Sequence, residues 1–289
     1  TLALAQVQYQ LNGGNWQTAA GLATWSASLT LPGGTNTLQV FAEDTAGNRS
    51  LTNALTLVHA LTTPLTLTAT GGGIINPNYS NAVLELGKAY AMTATATAGY
   101  AFTNWTDGVG AVLTNGPTIS FVMQSNLALR ANFVDVQKPV LTISSPTNAS
   151  RFTNASVTVT GTASDNVTLA KIQYQLNGGN WQTASGLTSW SANFTLPGGT
   201  NTVQFFAEDA AGNRSTTNSL SLVYVLTAPL PVIATGVGTV SPNYSNAVLE
   251  LGKAYTMTAT AAAGYAFTNW TDGGGAQLTN GPTISFVMQ

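Results

Sequence analysis

The chain repeats itself at one offset. Shifted by 165 positions, residues 1–124 fall on 166–289 without a gap, and 94 of these 124 aligned positions are identical. Tyr9 lands on Tyr174, Trp16 on Trp181, Asp44 on Asp209, Pro77 on Pro242 and Trp105 on Trp270. Whatever folds in one copy therefore folds in the other. A unit of 165 residues is too long for a solenoid repeat of about 20–50 residues and matches one or two small domains.

Two patterns alternate inside the unit. One is organised around Leu31 to Ser50, repeated as Leu196 to Ser215. Pro32-Gly33-Gly34 signals a tight turn, and Asn36 to Asp44 then alternates, with Leu38, Val40 and Ala42 on one face and Thr37, Gln39, Phe41 and Glu43 on the other. Asp44 and Gly47-Asn48 supply a reversing turn into Arg49 to Val58, which makes a β-hairpin. The second pattern, at 62–134 and 227–289, has its own glycine and aromatic positions. The joints Leu61 to Pro64, Val134 to Pro139 and Leu226 to Pro229 are short and proline-marked, so the array is expected to be stiff. The domains are thus 1–60, 62–134, 138–226 and 227–289.

In the complete copy of the first pattern, Val140 to Ile143 reads as an edge strand and Ser156 to Thr162 as a strand ending at an Asp165-Asn166 turn. Lys171 to Leu176 enters the hairpin signal Asn177-Gly178-Gly179-Asn180, and Trp190 to Leu196 precedes the central hairpin Thr200 to Val225. About seven strands in about 90 residues predict an antiparallel sandwich. No helical pattern competes, and the fold class is all-β.

Composition narrows the function. Only 6% of residues are charged, against about 25% in ordinary soluble domains, so hydroxyls and amides carry the surface, which favours self-association. A net charge of −2 without a Lys/Arg cluster offers no field for nucleic acid. No run of 18 apolar residues is present, so no membrane insertion is expected in this segment. The chain has no cysteine, hence neither disulfides nor a thiolate site.

Certain strings resemble known families. Trp25 to Leu38 followed by Ala42-Glu-Asp-Thr-Ala-Gly-Asn48 is similar to the bacterial immunoglobulin-like domains of large surface proteins and of secreted glycosidases. Gly99-Tyr-Ala-Phe-Thr-Asn-Trp-Thr-Asp-Gly108, with Ile119 to Met123 and Leu127 to Phe133, resembles the divergent internalin-type B repeat. These resemblances imply a bacterial extracellular or cell-surface location and a modular architecture rather than an activity.

The residues able to carry chemistry agree with this. The single histidine, His59, is replaced by Tyr224 in the second copy, so no His-based triad repeats. Glu43 and Asp44 are neighbours on a strand and point to opposite faces, which removes the nearest carboxylate pair. Asp107 and Asp272 sit in Trp-Thr-Asp-Gly turns and read as loop holders. No cofactor is expected other than calcium, for which Asp165 and Asp209 converge at one pole of the sandwich with Glu208 or carbonyls completing an oxygen shell. Lys88 and Lys253 raise an intramolecular isopeptide bond. The six tryptophans read as core or hairpin packing, with sugar stacking as the alternative. Phe41 and Phe206 point outward beside Val58, which predicts contact there with another module or another copy.

The expected protein is therefore a structural or adhesive stalk region, not an enzyme, with a carbohydrate-binding accessory region of a secreted polysaccharide-degrading enzyme as the alternative. Partners are the chain itself, neighbouring modules and extracellular glycans. Thr1 aligns with Asn166 and Gln289 with Gln124, so counterparts of the first two sandwich strands and of the last B-repeat strand are missing. Adding one more copy of the 41-residue segment 125–165 gives 289 + 41 = 330, twice 165. The expectation is a window on a longer repeating chain, or strand donation between copies.

Overall fold

The computed structural model describes residues 2–289. Among them every regular element is a β-strand, and the chain divides into two compact units, Thr1–Asp135 and Val136–Gln289. Each unit joins a sandwich-type module to the smaller β module that follows it.

The sandwich of the second unit is the complete one. One sheet runs in the order Val140–Ser145, Ser156–Ser164, Ser189–Thr195, Ser185–Gly186; the other runs Ser150–Phe152, Asn218–Tyr224, Gly199–Asp209, Leu169–Leu176, Gln182–Thr183. The alternation in Gly199–Asp209 places Val203, Phe205 and Ala207 in the core, all fully buried, against Val157, Val159, Ile172, Trp190 and Leu222. Gly161 lets three neighbouring strands of this first sheet lie close, because a Cβ there would lie 2.1 Å from the Thr142 carbonyl oxygen on one side and 2.3 Å from the Trp190 ring on the other. One departure from a purely antiparallel sandwich appears: Ser150–Phe152 pairs parallel to Leu222–Tyr224. The intervening chain is long enough to return in the same direction.

The first unit holds a four-stranded sheet, Gln17–Thr18, Leu4–Leu11, Gly34–Asp44, Asn53–His59, and a short ribbon of Ala20–Gly21 with Trp25–Ser26. Leu38, Val40 and Ala42 are only partly buried here, against Val7, Tyr9 and Ala19. An open cleft of about 390 Å³ lies along Leu38, Val40 and Leu55.

The smaller module of the first unit packs the sheet Thr118–Val122, Ala89–Ala96, Gly73–Asn76 against the sheet Val112–Thr114, Tyr100–Asp107, Ala128–Asp135, Thr66–Thr70. Trp105, Met92, Met123, Leu129 and Ala131 form its sealed core. Ala128–Asp135 runs parallel to Thr66–Thr70. The glycine run is a packing requirement as well as a turn: a Cβ on Gly73 would lie 2.2 Å from the Phe133 ring. The last module repeats the three-stranded sheet as Gly238–Ser241, Ala254–Ala261, Thr283–Val287.

Inside each unit the joint is packed. Leu61 presses on Gly33, where a Cβ would meet its side chain at 2.4 Å, and its carbonyl accepts from Leu86 N at 2.8 Å. Leu226 repeats this with Gly198 at 2.6 Å and Leu251 N at 2.9 Å. In the second unit Arg151 also pairs with Glu250 across the joint.

Candidate functional site

The outer face of the central hairpin is the most elaborated surface of the sandwich. Phe206 lies opposite Gln173 on the neighbouring strand and faces away from the core. Its ring meets Trp181 edge-on at 4.6 Å, and the Arg214 guanidinium sits 4.8 Å from its centroid. Arg214 is aimed by Glu208, whose Oε2 accepts from Nε at 2.7 Å while Oε1 pairs with Lys171 Nζ at 2.9 Å. These two cations hold the Glu208 carboxyl below its usual range, Lys171 foremost. The first copy reproduces the stack, with Trp16 to Phe41 at 4.6 Å and Arg49 to Phe41 at 4.5 Å. There Glu43 is likewise depressed by hydrogen bonds from Arg49 and Gln6.

The sequence places Phe41 and Phe206 at an outward contact with another module or another copy of the chain; in the structure the contact that each ring makes lies within its own module. They do face outward, but they are 3% and 5% exposed, because each is covered by a tryptophan and an arginine of its own module. Val58 is 65% exposed. Nothing in the strand alternation signals the cover, since Trp181 and Arg214 reach Phe206 from two different turns.

The proposed calcium ligands separate. Asp165 and Asp209 do converge, with a carboxylate oxygen of each lying within 4.8 Å of the other. Asp165 Oδ1 is buried and accepts no hydrogen bond among the described residues. Asp209 holds its turn, accepting from Asn213 N and Asn213 Nδ2, both at 2.9 Å. Glu208 is not part of this pair. Adjacent strand residues face opposite ways, and Glu208 belongs to the arginine–phenylalanine face.

The remaining candidates resolve locally. Asp107 accepts from Val109 N at 3.0 Å and Ala111 N at 2.8 Å, and Asp272 does the same with Gly274 N and Ala276 N. His59 Nδ1 is bonded to the Leu31 carbonyl at 2.8 Å. The isopeptide expectation fails at Lys88, whose side chain is 61% exposed beside Glu85. An amide staple needs a buried amine, and this one is solvated. Trp105 and Trp190 are core residues.

Fold and faces together define a class, an all-β array in which immunoglobulin-like sandwiches alternate with smaller β modules. Residues 139–223 match the family model of the bacterial Ig domain, and residues 63–137 and 228–289 match that of the divergent InlB B-repeat domain. The alternation is the one the sequence reading expects. Domains of these two kinds are typically structural modules of surface or extracellular proteins. A search of curated proteins gives no match.

Three solved structures align with this chain. The Clostridium thermocellum CbhA fibronectin(III)-like modules align at 17% identity over 29% of this chain and 96% of theirs, with a TM-score of 0.25. The tetra-tandem repeat of the extending region of a large adhesion protein aligns at 18% identity over 99% of this chain and 83% of that chain, with a TM-score of 0.32. The Bacteroides ovatus protein SGBP-B, in complex with a mixed-linkage heptasaccharide, aligns at 14% identity over 77% of this chain and 61% of its own, with a TM-score of 0.20. No helix among the described residues is long and apolar enough to cross a membrane.

Proposed function

We propose that this chain is a load-transmitting repeat region of a bacterial surface or extracellular protein, a stiff stalk rather than an enzyme. The observation that carries the reading is the packed joint. Leu61 and Leu226 each fill the glycine hollow of one module while their carbonyls bind the next, so the two modules of a unit share a contact rather than a tether. The chain has no cysteine, so paired spin labels can be placed at will. Labels at Thr202 and Thr256, both exposed and on different modules of the second unit, are expected to give one narrow distance distribution that broadens in Leu226→Gly. A broad distribution in the unaltered chain defeats the stalk reading.

A calcium role at the aspartate pair is part of the same proposal. It is supported by the unpartnered Asp165 Oδ1 beside Asp209, since an oxygen buried without a donor is the kind of ligand a hard cation takes. The cation would brace the turn after Ser156–Ser164 against the turn after Gly199–Asp209. Calorimetric titration with calcium should show binding that Asp165→Asn abolishes. An unchanged melting temperature in calcium and in chelator would remove it.

A further inference from the structure

The smaller modules carry an open strand edge in each unit. Thr118–Val122 is the first strand of its sheet, and among the described residues nothing pairs with its outer side. The register with Ala89–Ala96 matches Met92 with Ile119 and Tyr90 with Phe121. Pro117 O accepts from Ala94 N, and Met123 N donates to Lys88 O, each at 2.9 Å. The odd-numbered residues are therefore bonded inward. By the alternation of an antiparallel ladder, the N–H and C=O groups of Thr118, Ser120 and Val122 face out. A groove of about 480 Å³ runs beside this edge, bounded by Leu113, Leu127 and Leu129. In the last module Thr283–Val287 repeats the edge, with Ala259 N to Pro282 O at 2.8 Å and Met288 N to Lys253 O at 3.1 Å.

We propose that this edge is a pairing site for a second copy of the chain, strand against identical strand. A row of free backbone donors and acceptors is complemented by another extended strand. The sequence Thr-Ile-Ser-Phe-Val is self-complementary when run antiparallel about Ser120. Thr118 then faces the partner's Val122, Ile119 faces the partner's Phe121, and Ser120 faces the partner's Ser120. Core-side residues meet core-side residues, and no charge meets a like charge. Edges that must stay single are blunted with lysine, proline or a bulge. This strand has none of the three, and its register with Ala89–Ala96 is unbroken. Two such edges per chain make the association bivalent where both engage. The partner surface is thus a lateral one, and it goes beyond the stalk reading.

The two-fold at Ser120 makes the test specific. A Ser120→Lys/Ser285→Lys chain sets lysine against lysine, and a Ser120→Glu/Ser285→Glu chain sets glutamate against glutamate. Both positions are exposed, and near-ultraviolet circular dichroism should match the unaltered chain. Sedimentation over a concentration series should show the unaltered chain associating and each charged variant weakened about tenfold or more. An equimolar mixture of the two variants should associate again. The pairing is overturned if the unaltered chain stays monomeric, if the variants associate undiminished, or if the mixture fails to recover. A monomeric chain leaves the stalk reading standing, because the spin-label distances decide that separately.

Discussion

Asn177 donates its side-chain amide to the Oδ1 of Asn201 at 2.8 Å, and this pair fixes the turn and the strand it faces. Asn177 has a positive φ of 50°, and its Oδ1 accepts from Thr202 N at 2.9 Å. Asn201, 2% exposed, donates back to the Pro197 and Gly199 carbonyls at 2.9 and 3.0 Å. Every polar atom of the buried amide is used. The first copy repeats the pair, Asn12 to Asn36, at 2.7 Å. Replacing Asn201 by alanine strands one amide donor and two carbonyls, and a buried group left unsatisfied costs about 1–3 kcal/mol. Denaturant unfolding of Asn201→Ala should register a loss at the upper end of that range, and a change under 0.5 kcal/mol, the ordinary surface scale, would contradict the assignment.

Gly161 sits between two neighbouring strands of its own sheet, with the Thr142 carbonyl on one and the Trp190 ring on the other. Its substitution by alanine forces a methyl group against the Thr142 carbonyl and the Trp190 ring. Overpacking of this kind costs about 1–3 kcal/mol, and the close backbone approach places Gly161→Ala toward the top. The tryptophan emission spectrum should shift as Trp190 is displaced. Gly178→Ala, which has no atom within 4 Å but a φ of +73°, is the comparison: its penalty is conformational and should leave the emission unmoved.

The outer stack predicts an ordering of effects. Trp181→Ala uncovers Phe206, losing both apolar burial and a ring pair worth about 0.5–1.5 kcal/mol beyond it. Arg214→Ala removes a guanidinium that contributes about 0.5–1 kcal/mol at an exposed site. Thermal melts should therefore rank Trp181→Ala below Arg214→Ala, and the tryptophan variant should bind a hydrophobic dye. The reverse order would mean that the arginine is the principal cover.

Acid should loosen the same face. Glu208 has its folded pKa depressed by Lys171 and then Arg214, so the folded state binds its proton less readily than the unfolded chain. Its contribution is present above the unfolded value and disappears as pH falls through the depressed folded one. Below about pH 4, stability should drop, and Glu208→Gln should flatten that part of the curve. Asp44, depressed by hydrogen bonds from Asn48, adds to the decline in the same direction. A curve with the same slope for Glu208→Gln would place the acid sensitivity elsewhere.

Much of this protein is written locally. The 165-residue offset, the alternation in Asn36 to Asp44, the turn glycines and the proline-marked joints determine β-strands, their faces and the alternation of two module types, because period and turn chemistry are properties of adjacent residues. Phe206 could be read as outward-facing from that period alone. Its cover could not, since Trp181 and Arg214 are 25 and 8 residues away and reach it only once the strands pair. Likewise the sequence brought Asp165 and Asp209 to one pole, and strand alternation already turned Glu208 to the opposite face, but only the folded structure paired Glu208 with Lys171 and Arg214 and left Asp165 Oδ1 without a donor. The open edge at Ser120 is of the same kind. A strand's existence follows from its own residues, whereas an edge is defined by the neighbour that tertiary structure does not supply.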